Sequence, residues 1–371
     1  KMSRKMEYPI YRLDNFANNC WFNASLQVFM SMPELFKSLR KSLADIRRNA
    51  VEEEDKGYGS GKVACTFVSC YMGAMKELAL QGHENEAPMM QKELLVCMLL
   101  NVCKMGESMG IRLGVQHDVA EAIELMMNRG FFRATFDEIP EEFGGDNEAD
   151  KDIVRTFRGC YSPIQIDSFF LRVCFNKICP HCYNYSYEYQ TNVILHLPLV
   201  VGAGKVSLDE LLDEFTSCES LSEDNAMTCG KCKKLSRFLT YSFICDAPDI
   251  LIIQLKRFDS RSQKIKVPVK YPAVLDLNPY FVEDPFDATM KNWTSWSKKE
   301  EPYVYDLFGV ISHQGGSSSS GHYYSRVKRR GEWWYCNDEM VAKISRKAVA
   351  DPENAYVLFY RLRESESEGD R

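Results

Sequence analysis

Asp14-Asn15-Phe16-Ala17-Asn18-Asn19-Cys20-Trp21-Phe22-Asn23-Ala24-Ser25-Leu26-Gln27 begins as a polar loop and ends as an apolar run, with a cysteine at the join. Beyond it, Leu26, Phe29, Met30, Leu35 and Leu39 recur at helical spacing, and Pro33 divides the stretch Trp21 to Leu43 into two helices. A thiol at a helix start meets partial positive charge and free backbone N–H groups. It needs them, because the thiolate is the nucleophile and an ordinary cysteine has a pKa of about 8.5. The Asn15 amide, five residues upstream, is placed to hold an oxyanion together with the Cys20 N–H.

A thiol alone does no proton chemistry. Hundreds of residues later come Gly321-His322-Tyr323-Tyr324 and Trp334-Tyr335-Cys336-Asn337-Asp338. His322 follows the Gly-Ser stretch Gly315 to Gly321, read as a flexible loop, and starts an aromatic strand. An imidazolium there stabilises a thiolate and protonates a leaving amine. Asn337 or Asp338, at the end of the next strand, is the orienter: an asparagine holds the tautomer, and an aspartate also stabilises the cation. His117 is a rival without an obvious orienter. His313 is read as shaping the cleft, and His83 and His196 carry no signal.

Two further clusters lie between these boxes. Cys179-Pro180-His181-Cys182 and Cys229-Gly230-Lys231-Cys232 are knuckles whose four thiolates suit one structural zinc ion. Four cysteines close the tetrahedron, so His181 is left out and no open position remains for catalysis. Gln116-His117-Asp118-Val119-Ala120-Glu121 has two readings. Asp118 caps a helix with Glu121 three residues on, or it accepts a basic segment of a substrate.

The chain has 371 residues, 45% hydrophobic and 12% aromatic, enough for a sizeable core. Its net charge of −6 argues against a nucleic-acid binder. Of the 14 cysteines, several (Cys65, Cys70, Cys97, Cys103) lie in apolar periodic stretches and four in the knuckles, unlike a secreted framework, so a reducing, intracellular setting (cytoplasmic, nuclear or both) is expected. No apolar run approaches membrane-spanning length. Lys1 to Arg12 lacks the apolar stretch of a signal peptide. Helices are predicted over Val63 to Leu80, Gln91 to Met105, Asp118 to Met127 and Leu208 to Phe215, and a surface loop over Glu52 to Lys62. Strands are predicted over Phe169 to Phe175, Ser186 to Leu197, Phe238 to Phe243, Ile250 to Phe258, Tyr305 to Ser312, His322 to Val327, Trp333 to Cys336 and Tyr356 to Arg361. Glu138 to Asp152 reads as a hinge or exposed loop, Phe281 to Pro302 as an irregular insertion, and Glu364 to Arg371 as a loose tail. The fold class is α+β, helices first and antiparallel sheet after.

At this point the chain resembles the ubiquitin-specific proteases. The resemblance rests on five collinear stretches: Asn15 to Gln27, Gln116 to Glu121, the paired knuckles, Gln254-Leu255-Lys256-Arg257-Phe258, and Tyr305 to Val341. It implies one papain-like hand. The thumb would span 8–137 and the zinc-tipped fingers 160–245, inserted in a palm of 138–159 and 246–363. It implies Cys20 as nucleophile, His322 as base and acid, Asn337 as third member with Asp338 in support, and Asn15 at the oxyanion. Gln116 and Asp118 would contact the substrate's C-terminal tail. The implied substrate is ubiquitin, cleaved after its terminal Gly-Gly, or a ubiquitin-like modifier such as the interferon-induced two-domain one. The alternative is a zinc-stabilised ubiquitin-binding scaffold with a misaligned thiol. The cysteine box departs from the family's usual Gly-Asn-Thr-Cys, reading Ala17-Asn18-Asn19-Cys20.

Overall fold

Helical spacing gives way to strand alternation about halfway along the chain, and the computed structural model follows that division. It describes residues 10–41, 59–80, 87–132, 168–199, 204–281, 302–318 and 320–363. The hinge at Glu138 to Asp152, most of the 281–302 insertion, His83 and the tail from 364 lie outside the described residues. The early helices are α1 (Cys20–Phe29), α2 (Pro33–Lys41), α3 (Gly59–Leu80), α4 (Lys92–Met105) and α5 (Val119–Leu125). A π-turn over Met126–Phe132 continues α5. The later helix α6 covers Leu208–Thr216, and Ser207 and Glu210 close a reciprocal capping box at its start. No helix among the described residues is long and apolar enough to cross a membrane. Helix α3 corrects the expected loop over Glu52 to Lys62: the chain is already helical from Gly59. The buried residues Ala64, Phe67, Val68, Tyr71 and Met75 anchor the helix, and tertiary packing outweighs poor local propensity.

The strands are β1 (Leu171–Ile178), β2 (Tyr185–Asn192), β3 (Ile194–Pro198), β4 (Leu239–Asp246), β5 (Ile250–Lys256), β6 (Val304–Ser317), β7 (Ser320–Arg329), β8 (Glu332–Asn337), β9 (Met340–Ile344) and β10 (Ala355–Leu362). The main sheet runs in the order β9-β8-β7-β6-β10-β5-β3. A second sheet has the order β2-β1-β4, with the short strand Glu219–Ser220 at its far edge.

Three expectations need correcting. Ser186 to Leu197 is two strands: β2 pairs antiparallel with β1, and β3 pairs parallel with β5. The main sheet is therefore mixed, because the chain leaves β3 through the second sheet and re-enters along β5 in the same direction. The Gly315 to Gly321 loop is mostly strand, with Gln314 opposite His322 and Ser317 opposite Ser320 across a bulge. Strand β9 was not anticipated.

The main sheet is buried on both faces, as its alternation requires. Ile250, Ile252, Val357 and Phe359 face α1 to α5, in one core with Leu26, Val28 and Phe29. Their neighbours Leu251, Ile253, Leu358 and Tyr360 face the other way, in a second core with Leu208, Leu211 and Leu212 of α6. All ten residues of α1 are buried, held between the other helices and the sheet. Its hydroxyl and amide side chains survive there because they have partners: Ser25 Oγ donates to the Trp21 carbonyl at 2.8 Å and Gln27 Nε2 to the Tyr11 carbonyl at 2.5 Å.

Candidate active site

Helix α1 starts at Cys20, so the sulfur sits in the first turn, where N–H groups are unpaired. The helix packs on β7, which carries His322, and this brings the imidazole within interaction range of the Cys20 sulfur. Its Nε2 contacts Asn337 Oδ1 at 2.5 Å and lies 3.7 Å from Asp338 Oδ2. That leaves Nδ1 for the thiol. The His322 pKa rises to about 9. The Cys20 hydrogen bond raises it most; burial opposes this, and Asn337 and the charges on Cys20 and Asp338 add to it. The ring is therefore held as the cation that a neighbouring thiolate requires.

Asp338 closes this site from the β8–β9 turn with φ at +52°, a left-handed conformation that aspartate tolerates. Asn15 Nδ2 donates to its Oδ2 at 2.8 Å and Asn23 Nδ2 to its Oδ1 at 2.7 Å. Asn15 Oδ1 accepts from the Asn19 N–H at 2.9 Å. Asn19, the atypical residue before the cysteine, spans the loop: its Nδ2 donates to the Asp14 carbonyl and to Asn23 Oδ1, and its Oδ1 accepts from the Ala17 N–H. Asn19 makes no side-chain cap on α1; it braces the loop instead. Asn23 and Tyr335 were missed in the sequence. Asn23 stands at i+3 from Cys20 on the same helix face, and Tyr335 at i−2 from Asn337 on the same strand face.

Gln116 Oε1 accepts from the Gly321 N–H at 3.0 Å, which ties the helical side of the cleft to the residue before His322. Its Nε2 is buried and has no hydrogen-bond partner among the described residues. Asp118 is the N-cap of α5: Oδ1 accepts from the Ala120 and Glu121 N–H groups, and Oδ2 from the Tyr356 hydroxyl. Burial raises its pKa in spite of these bonds. His117 is taken up by the Arg112 backbone and the edge of the Trp21 ring. His313 is buried beneath the glycines, and burial lowers its pKa to about 4. A Cβ on Gly321 would fall 2.3 Å from His313 Nε2, so these glycines permit close approach.

At the tip of the second sheet the two knuckles have the same backbone pattern. The Cys179 N–H bonds to the Asn184 carbonyl and that of Tyr183 to Cys179; the Cys229 N–H bonds to Lys234 and that of Lys233 to Cys229. Tyr183 and Lys233 both take left-handed φ, 55° and 60°. The sulfurs of Cys179, Cys182, Cys229 and Cys232 all lie within 4.8 Å of one another, a group that can hold a metal ion. The pairs Cys179–Cys232 and Cys182–Cys229 are 3.8 Å and 3.6 Å apart. Thiolates about 2.3 Å from a tetrahedral zinc lie about 3.8 Å from each other, so the donor set fits that ion.

A thiol in the first turn of a buried helix, near an imidazole that an amide steadies, has the makings of a thiol hydrolase site. The sequence model of the ubiquitin carboxyl-terminal hydrolase family matches residues 11–360, and the chain belongs to that family. Ubiquitin carboxyl-terminal hydrolase 4 of Saccharomyces cerevisiae (strain YJM789) is 33% identical over 193 residues, 50% of this chain and 20% of that protein. Ubiquitin carboxyl-terminal hydrolase 17-like protein B of Mus musculus is 33% identical over 184 residues, 49% of this chain and 36% of that one. The aligned part thus spans between a fifth and about a third of those relatives. Among solved structures, the yeast SAGA DUB module with a mutant Sgf73 shares the fold at a TM-score of 0.67 and 21% identity, over 98% of this chain and 71% of that one. The SAGA Ubp8/Sgf11/Sus1/Sgf73 DUB module bound to ubiquitin aldehyde matches at 0.67 and 23%, over 98% and 72%.

Proposed function

We propose that this chain is a deubiquitinase: a thiol hydrolase that cleaves the bond after the C-terminal Gly-Gly of ubiquitin or a ubiquitin-like modifier. The observation that carries the reading is the pairing of Cys20 with His322, whose other ring nitrogen rests on Asn337 at 2.5 Å. The Cys20 thiolate attacks the terminal glycine carbonyl. The oxyanion forms beside the Cys20 N–H and Asn15, whose Nδ2 keeps one N–H besides the one given to Asp338. His322 protonates the leaving amine and then serves as base for the water that frees the thioester. Asn337 accepts from Nε2, and Asp338 stabilises the ring's charge.

The cleft suits an extended tail. The unpaired Gln116 Nε2 is a donor for a tail carbonyl. Asp118 has spent most of its acceptor capacity, so a tail arginine would share Oδ2 with Tyr356. The modifier's globular body has a separate place to rest. Tyr185, Tyr187 and Tyr189 stand on one face of edge strand β2, the first two exposed, and large aromatic surfaces of this kind dominate protein contacts. The four-cysteine group is assigned to one structural zinc per chain, on the sulfur spacing above.

Ubiquitin carrying a C-terminal electrophile tests the reading. It is expected to label wild-type protein at Cys20 and to leave Cys20→Ala unlabelled. Binding of ubiquitin without labelling of the wild type would make the chain a scaffold. Stronger labelling by the two-domain modifier would transfer the substrate assignment to it.

A further inference from the structure

Strand alternation puts His322, Tyr324 and Arg326 on one face of β7. Arg326 and Tyr335 are direct cross-strand partners, so Tyr335 and Asn337 occupy the same face of β8. The Tyr335 ring lies 5.5 Å from that of Tyr324, and the Arg326 guanidinium sits 5.2 Å from Tyr324 and 5.6 Å from Tyr335. Arg326 is itself anchored by Asp351 at 2.8 Å and Ser312 Oγ at 3.1 Å. A ring held this way keeps its hydroxyl in place, and that hydroxyl accepts from Asn337 Nδ2 at 3.1 Å.

The ends of an asparagine amide are unlike, one an acceptor and the other a donor. With the oxygen on the imidazole, Nε2 carries its proton and Nδ1 serves the thiol. With the amide reversed, two donors would meet at the cation and the hold on the ring would be lost. Asp338 Oδ2, 3.7 Å away, also favours a proton on Nε2. The amide NH2 then needs an acceptor on its far side. We infer that Tyr335 is a positioning residue: its hydroxyl holds the Asn337 amide with the oxygen turned to His322, which fixes which imidazole nitrogen faces Cys20. The inference rests on Cys20 and His322 being the reacting pair.

Tyr335→Phe keeps the ring and removes the hydroxyl. On ubiquitin bearing a C-terminal fluorogenic amide, kcat is expected to fall about fivefold, the scale of one neutral hydrogen bond, with KM unchanged. The alkaline limb of the rate profile should move to lower pH, since a looser Asn337 supports the cation less. The other groups facing the ring, Cys20 on α1, Asp338 in the β8–β9 turn and His313 on β6, are unaltered. Asn337→Asp provides the discriminating background. A carboxylate accepts at both ends and cannot be reversed, so adding Tyr335→Phe there removes only a hydroxyl donor and should lower kcat less than it does beside Asn337. A wild-type kcat and pH profile in Tyr335→Phe would overturn the inference. So would an equal fall in both backgrounds, which marks a packing role. Turnover surviving in Cys20→Ala would overturn the reacting pair and this inference together. A dead Cys20→Ala beside an unaffected Tyr335→Phe would overturn this inference alone.

Discussion

At the residue scale, His322 sets the pH behaviour. Its pKa is raised from 6.5 to about 9, so the cation is favoured in the fold. The stability it contributes is complete below about 6.5 and is lost as pH rises through about 9. Loss of the cation also disarms the thiolate, so kcat/KM should decline with an apparent pKa near 9, read from rates between pH 6 and 10.5. A flat profile through pH 10 would contradict this. Asn23 offers a second test. Asn23→Ala removes the donor to Asp338 Oδ1 and leaves Asn19 Nδ2 with only the Asp14 carbonyl. The melt should show a loss of about 1–3 kcal/mol, and turnover should fall with it because Asp338 is then held by Asn15 alone. Cys20, His322 and Asn337 could be singled out in the sequence because their types and order are rare together, and the structure brings His322 and Asn337 into contact. Asn23 and Tyr335 were not, because each acquires its task only when α1 and β8 bring partners from the other end of the chain.

At the element scale, the β6–β7 hairpin and the knuckles carry the predictions. Gly321→Ala would place a methyl 2.3 Å from His313 Nε2 and 2.7 Å from the Gln314 carbonyl. Overpacking of this kind costs about 1–3 kcal/mol. It also displaces the residue before His322, so activity should fall further than the melt alone accounts for. Elemental analysis of protein purified without added metal should give one zinc per chain, and Cys229→Ser should lose it. The melting of the β2-β1-β4 sheet should then separate from that of the main sheet, visible as a second transition. Zinc-free protein with an unaltered melt would remove the assignment. The element boundaries show where sequence reading fails. Val193 is the only residue between β2 and β3, and alternation runs through it without glycine or proline. Only the partners, β1 on one side and β5 on the other, decide that the strand is divided. The glycines of 315–321 looked like a loop for the opposite reason: Gly315 and Gly321 are small because His313 lies beneath them, while Gln314 and Ser317 still pair with His322 and Ser320.

At the scale of the whole molecule, a polar chain joins the helices to the main sheet. Asp118 on α5 accepts from Tyr356 on β10, which accepts from Gln254 on β5 at 2.6 Å. Gln254 meets His196 on β3 at 2.5 Å, and His196 meets Glu124, back on α5, at 3.0 Å. Tyr356→Phe breaks the chain at its middle and leaves Asp118 Oδ2 and Gln254 Nε2 buried without that partner. The expected cost is about 1–3 kcal/mol. Hydrogen exchange should quicken in α5 and β5 together; quickening confined to β10 would mean the two sides are not coupled through this link. None of this linkage was legible in sequence, where His196 carried no signal.

Strand β10 lies between β6 and β5 in the middle of the main sheet, although it is the last strand described. During synthesis on the ribosome, residues 1–354 therefore lack the piece that joins the two halves of the sheet. Until that piece emerges, strands β6 to β9, which carry His322, have nothing to join them to β5 and β3. On the function proposed above, cleavage of a ubiquitin-like tail would therefore depend on that one strand being in place.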